Sequence, residues 1–151
     1  MAKNTGASKF RKVDVDQYDE EIYVEEAEQQ EEGDQGPSES EVNTFLAQGK
    51  NAEALGVVLK NPPVGTKNQA VKDRAVQLAV RVLTTFKSSE IDPALKSLDS
   101  KSLDTLMKYI YRGFEFPTEN SSAALLTWHE KTFAVGGLGA IVRVLTDRKR
   151  V

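Results

Sequence analysis

Residues 68–86 read NQAVKDRAVQLAVRVLTTF, and this stretch decides the fold. At about 100° per residue, Val71, Ala75, Leu78, Ala79, Val82, Leu83 and Phe86 form one continuous apolar arc. Val76 and Val80 widen the arc to roughly 200°, twice the width of about 100° that a helix lying on a surface requires. The helix is therefore expected to pack on two sides, at the centre of a helical array. Asp73, Arg74, Gln77, Arg81, Thr84 and Thr85 share the polar remainder, and Lys72 alone falls on the apolar side. Thr66-x-x-Gln69 predicts a capping box at its start, and Pro62-Pro63 closes off what precedes it.

Two short helices are expected before this one. Ser38-x-x-Glu41 is a capping signature followed by Val42, Phe45 and Leu46 at helical spacing, with Gly49 as the stop. Asn51 is placed to cap the second, whose apolar residues are Ala52, Leu55, Val58 and Leu59 and which ends at Asn61-Pro62-Pro63. After the central helix, Ser89-x-x-Asp92 opens a short helix with Pro93 in its first turn and Leu95 and Leu98 on its apolar side. Asp99–Ser102 reads as a turn. Leu103, Leu106, Met107, Tyr109 and Ile110 then form an apolar face opposite Asp104, Lys108 and Arg112, with Gly113 as the stop and Pro117 beyond it.

Asn120 or Ser121 caps the next helix, whose arc holds Ala124, Leu125, Leu126, Trp128, Phe133 and Val135. Gly136-Gly137 break the chain. A last helix sets Leu138, Ile141, Val144 and Leu145 against Arg143, Thr146 and Asp147, and Arg148-Lys149-Arg150 place cations where the helix dipole favours them. The reading is all-α: a compact array of about seven helices joined by short connections, which favour antiparallel neighbours. No fixed sequence period supports a repeat protein.

Ahead of that body lies a different kind of sequence. The net charge of −3 conceals 12 acidic and 4 basic residues in positions 1–40, against 11 acidic and 16 basic in positions 41–151. Residues 25–40, EEAEQQEEGDQGPSES, are low in complexity and self-repelling, and read as an extended spacer. Before it, FRKVDVDQYDEEIYV (10–24) scatters Phe10, Val13, Val15, Tyr18, Ile22 and Tyr23 among acidic residues. So sparse a set of apolar anchors cannot bury enough surface to fold alone, but alternate side chains of an extended segment can enter a partner's pockets. The expected division is an extended, disordered acidic arm at 1–37 and a helical body at 38–151.

Little here supports catalysis. The chain has no cysteine and one histidine, so it lacks a thiol nucleophile and a thiolate metal site. His129-Glu130 would need a second histidine four positions on to hold zinc, and that position is Phe133. His129 is instead expected to be buried or at an interface, bonded to backbone. Gly136-Gly137-Leu138-Gly139 has neither the preceding strand nor the lysine of a phosphate-binding loop. No metal, cofactor or catalytic residue is expected. The positive excess of the body is too small to argue for nucleic acid. No apolar run is long enough to span a bilayer, and the N-terminus lacks the core of a signal peptide. A cytosolic or nuclear protein is the default. Tyr111, Phe114, Phe116, Trp128 and His129 are the candidate partner contacts of the body, although Trp128 reads first as a core residue.

FRKVDVDQYDE (10–20), NPPVGTKNQAVKDRA (61–75), KSSEI (87–91), LMKYIYRGFE (106–115), PTENSSAALLTWHEK (117–131) and GGLGAIVRVLTDRK (136–149) together span most of the chain. In these blocks it resembles the smallest, sixteen-kilodalton subunit, subunit five, of the actin-related protein 2/3 complex. The resemblance implies a non-catalytic structural subunit of an actin-nucleating assembly that forms branched filaments. Its helical body would pack on the twenty-kilodalton scaffold subunit near the β-propeller subunit, and its arm would reach the actin-related protein 2 subunit. By position, the tethering residues are Phe10, Arg11, Val13, Val15 and Tyr18. A hetero-oligomer touching actin filaments through the complex is implied, in the cytoskeleton of the cytoplasm and cell projections, with the nucleus as a further location. The competing expectation is a free-standing helical adaptor with an acidic partner-binding arm.

Overall fold

The computed structural model describes residues 35–151; residues 1–34 of the arm, with its five tethering residues, lie outside the described residues. Among the described residues there are six helices and no strand. They are α1 (Glu39–Ala47), α2 (Asn51–Lys60), α3 (Gln69–Thr85), α4 (Ser88–Lys96), α5 (Ser100–Glu115) and α6 (Ser121–Thr146). The two last helices read from sequence run together as α6, with a kink at Gly137, whose φ of 67° and ψ of −173° are non-helical. That backbone region is open almost only to glycine.

The central stretch is α3, and both of its expected sides are occupied. Ala75, Val76, Leu78, Ala79, Val80, Val82 and Leu83 are all buried, and α2, α5 and α6 pack around them. Lys72, the residue on the wrong face, resolves its position by reaching out along the surface, where its Nζ donates to the Arg150 carbonyl at 2.9 Å. The cap is Asn68 rather than Thr66: the Asn68 side chain accepts from the Ala70 amide at 3.0 Å, and the Thr66 hydroxyl accepts from the Asn68 amide at 3.1 Å. Thr66 thus orders the capping residue instead of capping.

Other boundaries moved for identifiable reasons. Gly49 follows the end of α1 as expected, but Asn51 is the first residue of α2 and Lys50 precedes it as cap. Helix α4 begins after Lys87, whose amide is held by the Glu90 carboxylate at 3.1 Å. Pro93 therefore falls in the second turn, on an exposed side where the freed carbonyl can meet water. Asp99 belongs to α5 as its cap, accepting from the Ser102 amide at 3.0 Å. Gly113 does not stop α5, which runs on to Glu115 and ends where Phe116, next to Pro117, leaves the helical region.

The core gathers Val42, Leu55, Val58, Leu83, Leu95, Leu106, Met107, Tyr109, Ile110, Leu125 and Trp128, all essentially inaccessible. Helices α5 and α6 form the most extensive pair. Gly113 lies at the point where α5 comes close to α3 and α6. A Cβ there would stand 2.9 Å from Leu125 Cδ1 and 3.0 Å from Val80 Cγ2.

Candidate functional site

Helix α6 is more apolar than its place in the body requires. Its buried side is a narrow line of Leu125, Trp128, Thr132 and Ala140. Leu126, Phe133 and Val135, which the periodicity assigns to the same arc, are exposed, as are Leu138, Val142 and Leu145 beyond the kink. Leu126 and Phe133 are seven residues apart and share a face, and Leu138, Val142 and Leu145 share another at helical spacing. Leu126, Leu138 and Leu145 are 61, 66 and 70 % exposed. A single exposed leucine needs no explanation, but five large apolar side chains in two strips on one helix are more than scattered surface hydrophobics. Covering the part of each that is still exposed would contribute on the order of 1–2 kcal/mol before the costs of association.

Beside the first strip, three of the expected contact residues come together. The Tyr111 hydroxyl and His129 Nε2 are 3.1 Å apart. The Tyr111 ring meets those of His129 and Phe114 edge-on at 5.4 and 6.3 Å, and Phe114 and His129 are 6.4 Å apart. All three are half-buried. The polar partner of His129 is thus the tyrosine, not backbone as expected, because α5 presents Tyr111 directly across from it. A histidine hydrogen-bonded to a phenol among aromatic rings can orient side chains at a surface. Among the described residues, no group of three or more His, Asp or Glu side chains is placed to hold a metal ion.

The other two expected contacts lie apart from this group. Phe116 is exposed, with the Arg112 guanidinium 5.0 Å from its ring centre. It lines a groove of about 770 Å³ together with Val76, Val80, Arg81 and Glu119. Arg112 also pairs with Asp73 at 3.4 Å and with Glu115. Trp128 is fully buried. Its Nε1 donates to the Leu83 carbonyl at 2.9 Å, and its ring meets Phe86 edge-on at 5.0 Å. It is therefore a core residue joining α6 to the end of α3, and its burial removes it from the accessible surface. The exposed strips of α6 were not singled out from sequence. Part of the signal was present, because Leu126, Phe133 and Val135 share an apolar arc with the buried Leu125 and Trp128, more apolar residues than one packed side requires.

The described residues form a helical bundle with apolar strips on its surface. The family model of the ARP2/3 complex 16 kDa subunit (p16-Arc) matches residues 9–151, and the chain belongs to that family. It is 58 % identical over 151 residues to actin-related protein 2/3 complex subunit 5-C of Xenopus laevis, across the whole of both chains. The subunit 5-like protein of Homo sapiens is 57 % identical over 153 residues, again across the whole of both chains. Subunit 5 of Dictyostelium discoideum is 38 % identical over 113 residues, covering 75 % of this chain and 80 % of that one.

Proposed function

We infer that this protein is a structural subunit of the actin-related protein 2/3 complex, serving actin nucleation in the cytoskeleton. The observation that carries this is the family match over 9–151, together with identity at full length to named subunits of that complex. The geometry supports it: the strips of α6 and the Tyr111–Phe114–His129 group offer a helical body the apolar and aromatic contacts an assembled subunit needs. Its role is non-catalytic. The body, 38–151, docks on the twenty-kilodalton scaffold subunit near the β-propeller subunit, with Tyr111, Phe114, Phe116 and His129 at or near the contact and Trp128 supporting it from within.

The arm, 1–37, tethers the actin-related protein 2 subunit through Phe10, Arg11, Val13, Val15 and Tyr18. A tether raises the local concentration of its tip near one partner while the body holds another. It shifts the actin-related subunits toward their filament-like arrangement only if the tip binds the two arrangements unequally. Deleting residues 1–30 is expected to leave assembly intact and to lower the rate of branch formation in a pyrene-actin assay. A truncated complex that nucleates branches at the full rate rules out the tether.

A further inference from the structure

The part of α6 beyond Gly137 is fastened to the body differently from the part before it. Residues 121–135 are anchored by Leu125, Trp128 and Thr132, all fully buried. Residues 138–146 fully bury only Ala140, while Ile141 and Val144 are half-buried. Polar links supply much of the rest. The Arg143 guanidinium forks onto Asp104, with Nε and Nη2 at 2.8 and 2.9 Å from its two oxygens. Lys108 Nζ bridges the Asp147 carboxylate and, at 3.1 Å, the Lys149 carbonyl. Lys72 Nζ holds the Arg150 carbonyl, and the Val151 side chain is tucked in at 2 % exposure. Beside these links an open pocket of about 300 Å³ lies between the segment and α5, lined by Tyr111 and Arg112 on one side and by Val144 and Leu145 on the other.

We propose that residues 138–151 form a clasp that swings about Gly137 as one unit, uncovering the α5 surface at Lys108, Tyr111 and Arg112 while residues 121–135 stay packed. The hinge is the one non-helical residue within α6, so a rotation there leaves the helix on either side intact. The ion pairs that close the clasp lie near solvent, where such pairs hold weakly and salt screens them. A contiguous segment with few buried apolar contacts and exposed polar links opens below the free energy of global unfolding. The clasp carries Leu138, Val142 and Leu145, so its swing also re-aims the second apolar strip relative to Leu126 and Phe133.

Hydrogen–deuterium exchange of the full chain at low and high salt tests this. Swung free of the body, a helix this short is marginal in water, so amides of 138–146 should lose protection together, on the order of tenfold faster than those of 121–135, and faster still in salt. Asp104→Asn should accelerate 138–151 alone, by about two- to fivefold. Equal protection of the two halves of α6, a gradient of exchange rising from 138 to 146 as simple fraying would give, or insensitivity of the wild-type clasp to salt would each overturn the proposal. So would an Asp104→Asn chain in which both halves accelerate equally.

Discussion

Gly113 shows at the residue scale how a local signal and a tertiary one compete. Its place after an apolar run and before Pro117 makes it read as a helix stop, yet α5 passes through it and ends at Glu115. The glycine is there because Leu125 of α6 and Val80 of α3 occupy the space a Cβ would need. Alanine would gain about 1 kcal/mol of helix propensity, but overpacking a closed core costs roughly 1–3 kcal/mol. Gly113→Ala is therefore expected to destabilise the body, read as a lower urea midpoint with an unchanged slope. A higher midpoint would mean that α5, α3 and α6 have room to part. His129 and Trp128 mark the limits of legibility. Periodicity placed both toward the inside of α6, and the structure agrees, but what faces them depends on the neighbouring helices. The Leu83 carbonyl and the Tyr111 hydroxyl that receive them lie 45 and 18 residues away in sequence.

At the scale of elements, the helices among the described residues were legible in their apolar spacing, while starts moved where several capping residues stood close together. Thr66 and Asn68 are both good caps, and only the path of the chain from Pro62-Pro63 decides between them. Asp99, read as part of a turn, is the cap of α5, and this has a consequence in acid. The Ser102 side chain, and then its amide, hold the Asp99 carboxyl below the ordinary aspartate value. A depressed folded-state value means that the stabilisation is present above the unfolded pKa and lost as pH falls through the folded one. Acidification through that range should loosen the first turn of α5, seen as a lower protection factor, corrected for the intrinsic slowing of exchange in acid, at the Ser102 and Leu103 amides. Asp99→Asn, which keeps an accepting oxygen, should abolish that pH dependence while retaining the helix; an unchanged acid response in this variant would assign the effect to another group. The outward strips of α6 were partly legible in its apolar arc, but sequence alone does not say whether the second side of such a helix meets its own chain or another. In α3 it meets its own chain, and in α6 it remains uncovered.

For the whole molecule, the contrast is between a helical body whose α6 carries uncovered apolar strips and an arm whose composition argues against folding alone. The family resemblance was legible because long ordered blocks recur along nearly the whole chain, and the family match over 9–151 agrees. The contact residues were less legible, since a surface built to meet partners cannot be separated by periodicity from a surface built to meet its own core. The central claim is that this chain works as part of a larger assembly, and size-exclusion chromatography of the tagged protein from a cell lysate, with co-eluting chains identified by mass, tests it most directly. Membership in the complex predicts elution in one large particle that contains two actin-related proteins and the scaffold subunits. Elution at the mass of the free chain, or with partners unrelated to actin, would contradict it and leave the free-standing adaptor as the better description.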